Sequence, residues 1–130
     1  MTQPEDESQT EFLFAYGTLQ PGCAPAGIAP LVERMRVVSR GCVHGMLYDF
    51  GHYPGAVLNP AGSKRIPGTI YQLPADPDLL SRLDEYEEYF PDSPETSQFL
   101  RELHPVHWED GRTAPCWVYV FNLDRRSNKS

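Results

Sequence analysis

The sequence predicts an α+β fold of about six or seven short strands with a single clear helix among them. Three observations carry this. Thirteen prolines and ten glycines in 130 residues punctuate the chain too often for a helical bundle and imply short elements joined by turns. Two apolar runs, 12–16 and 116–121, suit strands buried on both faces. Between them, Asp76-Pro77 opens a segment with helical periodicity that Pro91 must end. Such a set curls into a small barrel or a bent sheet with the helix on one side.

Taken in order, residues 1–10 are polar and are expected to form a disordered tail. One domain is expected over 11–124, since 130 residues is the usual length of a single domain. A strand over Glu11 to Tyr16 runs into the turn signals Gly17-Thr18-Leu19 and Gln20-Pro21-Gly22. Leu31 to Met35 suits a short helical turn. Arg36 to Phe50 reads as two strands, with Gly41 and Gly45 marking a bend. His52-Tyr53-Pro54-Gly55 turns, Ala56 to Leu58 is briefly apolar, and Ile66 to Leu73 is a further strand. The helix is expected from Asp78 to about Tyr89. Asp92 to Thr96 is a polar loop. Two late strands span Gln98 to Trp108 and Thr113 to Leu123, and 125–130 is a polar tail.

Charge and cysteine content narrow the function. The net charge is -7, and the eleven basic residues are scattered apart from Arg125-Arg126. Nucleic acid is recognised through clustered Lys and Arg, so neither nucleic acid nor an anionic membrane is an expected partner. No apolar run reaches 18 residues, and the acidic N-terminus lacks the form of a signal peptide. Cys23, Cys42 and Cys116 are odd in number and widely spaced, which argues against a disulfide framework or a zinc site. A cytoplasmic location follows as the expectation.

The helix holds the most informative residue. With Leu79 at zero and about 100° per residue, Leu83 falls near 40°, Tyr86 near -20°, Phe90 near 20° and Leu80 near 100°. These define the expected core-facing stripe, and Ser81, Arg82, Asp84, Glu85 and Glu88 fall outside it. Glu87 comes out at about 80°, the only charged residue inside the stripe. A carboxylate so placed costs free energy unless it is hydrogen-bonded, paired or protonated, and that makes it a candidate for acid/base work. The plain alternative is a side chain that snorkels from the helix end or pairs with a buried Arg. The second candidate is Tyr16-Gly17-Thr18-Leu19, where successive N–H groups could form a nest for an anion; an ordinary strand-ending turn would look the same.

Four segments together carry a resemblance. Tyr16-Gly17-Thr18-Leu19 resembles the YG-[ST]-L signature of the gamma-glutamyl cyclotransferase-like family, which includes the AIG2-like proteins. Tyr53-Pro54-Gly55-Ala56 resembles its YPG segment. Gly68 with Ile70-Tyr71-Gln72-Leu73 resembles its G-x-[VI]-Y-x-[LI] strand, and Leu83-Asp84-Glu85-Tyr86-Glu87 its LD-x-[FY]-E helix end. Order and spacing agree over residues 12 to 121. Two positions depart: Glu88-Tyr89 follow where the family often has Gly, and Phe99-Leu100-Arg101 stands for its Y-x-R.

The resemblance implies a small mixed β-barrel with flanking helices. It implies Glu87 as the catalytic residue and substrate contacts from Tyr16, Gly17, Thr18 and Leu19. Tyr53 and Tyr119 are added as substrate-binding candidates, although Tyr119 also suits the core beside Trp117 and Phe121. The implied reaction cleaves a gamma-glutamyl amide by attack of the substrate's own α-amine, releasing 5-oxoproline and an amine. The nucleophile belongs to the substrate, so no metal or organic cofactor is expected. The implied partner is a small molecule, and the chain is expected to be a monomer or weak homodimer. A binding module of the same fold without catalysis is the alternative. His104 and His107, on one strand at HxxH spacing, point to opposite faces and suggest no metal site.

Overall fold

The chain runs β1 (Phe12–Ala15), α1 (Ala29–Glu33), β2 (Arg36–Asp49), β3 (Pro54–Leu58), β4 (Arg65–Gln72), α2 (Pro77–Tyr86), a 3-10 turn (Pro94–Thr96), β5 (Phe99–Trp108) and β6 (Thr113–Phe121). The computed structural model describes residues 11–49 and 54–122. The polar tails expected over 1–10 and 125–130, and the candidate Tyr53, lie outside the described residues.

The six strands follow the order β3-β2-β4-β1-β6-β5, and β2 also pairs with β5. That last pairing, Gly41 with Trp108 and Cys42 with His107, closes β2-β4-β1-β6-β5 into a five-stranded barrel. β3 stays outside it as a partner of β2. The β1–β6 pairing is parallel and the others antiparallel. The fold is thus the expected α+β mixed barrel with flanking helices.

The reading of β2 differs. Arg36 to Asp49 is a single strand, not two. The expected break marks a change of partner instead: Arg36 to His44 pair with β4, and Gly45 to Asp49 pair with β3. Both glycines are needed for these close approaches. A Cβ at Gly41 would lie 2.8 Å from the His107 carbonyl oxygen, and one at Gly45 would lie 2.6 Å from that of Val57.

β1 feeds two apolar clusters from alternate faces, as its unbroken apolar run requires. Leu13 and Ala15 join Tyr71, Leu79, Leu83 and α1 in one. Phe14 joins Val43, Ile66, Ile70, Val106 and Val118 in the other. No helix among the described residues is long and apolar enough to cross a membrane.

Helix α2 is capped as expected, with the Asp76 carboxylate accepting from the Asp78 N–H at 3.0 Å and Pro77 at the first turn. Leu79 and Leu83 are its buried anchors. Burying a leucine side chain fully contributes about 1.5–3 kcal/mol. The expected stripe needs correction. Tyr86 and Phe90 are 37% and 44% exposed, while Asp84 is only 5% exposed. The helix stops at Tyr86, so Phe90 no longer belongs to its wheel. The inward arc then runs from Leu79 through Leu83, Glu87 and Leu80 to Asp84. By ideal geometry it is centred at roughly 70°, close to Glu87.

Candidate active site

A cavity of about 500 Å³ opens where the loop after β1 meets the C-terminal end of α2, the start of β5 and the inner part of β6. Tyr16, Gly17, Thr18 and Leu19 line it together with Glu87 and Tyr119. The structure therefore brings together every candidate residue it describes. Phe99, where the family often has Tyr, also lines this cavity.

The loop is fixed through its carbonyl groups and one side chain. Leu19 is buried in the helix-side cluster. The Tyr71 hydroxyl donates to the Leu19 carbonyl at 2.7 Å. The Gln20 amide donates to the Tyr16 carbonyl at 3.2 Å, and the Gln20 N–H donates to that of Gly17 at 3.1 Å. Thr18 shares a 3.0 Å hydroxyl contact with Tyr86 on α2. The N–H groups of Gly17, Thr18 and Leu19 donate to no other described residue. A carbonyl-anchored loop that leaves successive donors unused is suited to an anion.

Tyr16 also acts as a strap through its hydroxyl. Its hydroxyl donates to the Tyr119 carbonyl on β6 and accepts from the Ala56 N–H on β3 at 3.2 Å. Burial pushes its pKa up, out of reach of titration near neutral pH. Its ring lines the cavity while its polar atom joins three strands.

Glu87 caps α2 with φ -84° and ψ 0°. Its N–H still bonds the Leu83 carbonyl at 2.9 Å, which holds the side chain over the inward arc. Its carboxyl accepts no hydrogen bond from a described residue. Burial raises its pKa from 4.5 to about 7. It can thus exist as acid or base near neutral pH, in the cavity that Gly17 to Leu19 also line.

One further residue escaped sequence reasoning, and it pairs with Arg101, the arginine of the Y-x-R match. Asp84, placed on the solvated face by the expected stripe, accepts from Arg101 Nε at 2.7 Å and Nη2 at 3.1 Å. It also accepts from the Tyr119 hydroxyl at 2.6 Å. Arg101 lies over the Trp117 ring, 4.4 Å from its centroid. Its partner is Asp84, not Glu87. The signal lay in Leu79, Leu80 and Leu83: centred on these leucines, the stripe leans toward Asp84 and away from the aromatic residues.

A closed five-stranded barrel with a helix-end carboxyl in a cavity defines a class that the comparisons specify. The family model for "Gamma-glutamyl cyclotransferase, AIG2-like" matches residues 13–130, and the chain belongs to this family. An AIG2-like protein from Mus musculus superposes with a TM-score of 0.64 at 25% identity, over 85% of this chain and 76% of that one. YkqA from Bacillus subtilis gives 0.66 at 22% identity, over 88% of this chain and 36% of its own length. A gamma-glutamyl cyclotransferase gives 0.62 at 13% identity, over 88% and 68%, a likeness of fold alone. Among curated proteins nothing matches.

Proposed function

We propose that this protein is a cyclotransferase of the gamma-glutamylamine type, with Glu87 as its general acid/base. The observation that carries the reading is the Glu87 carboxyl: half-buried, free of hydrogen bonds from described residues, raised to about 7 and lining one cavity with the loop whose N–H donors are unused. The substrate's α-carboxylate rests on the N–H groups of Gly17 to Leu19. Glu87 takes a proton from the α-ammonium, and the freed amine attacks the γ-carbonyl carbon. A C–N bond closes the five-membered lactam while the original amide C–N bond breaks. Glu87 returns this proton to the leaving nitrogen, the ring nitrogen gives up its second proton by the same route, and 5-oxoproline and the amine, as its ammonium, depart. Holding amine and carbonyl together supplies proximity, and one group with a pKa near the working pH suffices as proton shuttle.

The proposed setting is the cytoplasm, with a small gamma-glutamyl compound as partner and a monomer or weak homodimer as the working form. The three cysteines are free thiols, which suits a reducing compartment.

The test is release of 5-oxoproline from a panel of gamma-glutamyl amines by wild type and Glu87→Gln. Turnover that falls by about 10²-fold or more in the mutant supports the assignment. A fully active mutant refutes it. Binding of a panel member without turnover by wild type favours a binding module instead.

A further inference from the structure

The Tyr119 hydroxyl carries one proton and two lone pairs. The proton is committed, because the hydroxyl donates to Asp84 Oδ1 at 2.6 Å. Asp84 has no reason to release it. Its carboxylate is buried and is clamped by both Arg101 nitrogens, and the guanidinium is itself seated on the Trp117 ring. Bidentate charge-assisted pairs of this kind fix geometry as well as charge. What the Tyr119 oxygen has left for a ligand is acceptor capacity alone.

The charge pattern of the cavity gives that acceptor a use. Tyr119 lines the cavity, and its hydroxyl lies within electrostatic reach of Glu87. No Lys or Arg lines the cavity among the described residues. The lining thus combines acceptors, the carboxylates of Glu87 and Glu88 and the Tyr119 oxygen, with the loop donors of Gly17 to Leu19. An α-amino acid presents an ammonium and a carboxylate on one carbon, matching the two kinds of group. Asp84 and Arg101 cancel in charge, so the pair adds no net charge to the cavity and acts by orienting a proton.

We propose that Asp84, held by Arg101, turns the Tyr119 proton away from the cavity so that the Tyr119 oxygen accepts from the substrate's α-ammonium. Tyr119 is then a binding residue for the nucleophilic nitrogen, and Asp84 and Arg101 are positioning residues. This rests on the cyclotransferase reading for its substrate but not for its test.

The test compares binding of L-glutamine with that of glutaric acid monoamide, the same molecule without its α-amine, by titration. Tyr119→Phe weakens L-glutamine by about tenfold, the lower end for a hydrogen bond to a charged group, and leaves the monoamide unchanged. Asp84→Asn does the same, because its amide can donate to the tyrosine oxygen and send the hydroxyl proton into the cavity. The double variant is no weaker than either single one. Tyr119→Phe removes one oxygen only, and it decides the matter if Asp84→Asn does not fold. A merely structural role would move both ligands together. Equal losses, no loss, additive losses, or a wild type that binds neither ligand or prefers the monoamide would overturn the proposal. If the amine-selective loss appears but wild type releases no 5-oxoproline, the cyclotransferase reading falls and the ammonium site stands. If wild type turns over robustly and Tyr119→Phe binds L-glutamine normally, the ammonium site falls and the cyclotransferase reading stands.

Discussion

The N–H of Tyr89 bonds the carbonyl of Asp84 at 2.9 Å. Together with the 3.1 Å bond from the Glu88 N–H to Glu85, it closes a Schellman motif at the end of α2. The residue at the turn, Glu88, takes φ 59°, the one positive φ outside glycine among the described residues. The family often has glycine here, which adopts that conformation without strain. A side chain there costs roughly 1–2 kcal/mol.

Glu88→Gly is therefore expected to stabilise the protein by about 1 kcal/mol, part of the relieved strain being offset by the added freedom of the unfolded chain. For a domain of this size that is a rise of about 4 °C in Tm. Urea midpoints of the two proteins check it. A lower midpoint for the glycine variant would mean that the Glu88 side chain makes a stabilising contact outweighing its backbone strain.

The raised pKa of Glu87 makes stability pH-dependent, and the sign is unusual for a carboxylate. Between about pH 4.5 and 7 the native state keeps this proton while the unfolded chain has lost it. Stability falls as pH rises wherever the native state binds more protons. The Glu87 contribution is fully present below pH 4.5 and is gone above pH 7. At 1.36 kcal/mol per unit the change amounts to about 3 kcal/mol at most. Glu87→Gln should match wild type in stability at pH 4 and exceed it at pH 8. Parallel denaturation curves with a pH-independent difference would place the Glu87 pKa at its ordinary value.

The same ionisation should appear in the rate. The free enzyme must hold Glu87 as carboxylate to accept the ammonium proton, so kcat/KM is expected to climb with pH to a bend near 7. A profile whose rising limb ends near 4.5 would assign the shuttle to a less buried acid.

The strands and the cavity loop were legible because their signals are local. The apolar run of β1 and the Asp76-Pro77 start of α2 each follow from a few adjacent residues. Glu87 was legible from helix periodicity, although the stripe was centred on the wrong residues. Tyr86 and Phe90 drew it off course, because aromatic residues near a helix end can lie on the surface as readily as in the core. Asp84 was hidden for another reason. Its burial depends on Arg101 and Tyr119, which stand 17 and 35 residues further along and meet it only through the β5–β6 pairing of Arg101 with Tyr119. β2 was divided for lack of knowledge of its partners, since a long strand that changes neighbours looks like two short ones.

Tyr71 tests whether the cavity loop is held from below. It is 1% exposed, and its hydroxyl bonds the carbonyl of Leu19, itself buried. Tyr71→Phe leaves that carbonyl unpaired at a cost of about 1–3 kcal/mol. Beyond the loss of stability, KM should rise, because the N–H groups of Gly17 to Leu19 lose their fixed direction. Steady-state kinetics on the folded variant would show it. An unchanged KM would mean that Leu19 packing alone positions the loop.

Gly68 tests the same loop from the strand that feeds it. A Cβ at Gly68 would lie 2.4 Å from the Ala15 carbonyl oxygen and 2.7 Å from the Phe14 ring. The first clash is with backbone, so no rotamer relieves it. Either β1 moves away from β4, breaking the register of Ala15 with Thr69, or β4 bulges outward. Overpacking of this kind typically costs about 1–3 kcal/mol, and a shift of Ala15 carries Tyr16 and the loop with it. Gly68→Ala is expected to lower the urea midpoint and to impair turnover beyond the loss of folded protein. The two effects separate when activity is measured at a temperature where circular dichroism shows the variant fully folded. Full activity there would show that β4 yields instead of β1, and that the cavity loop does not depend on the close contact of the two strands at Gly68.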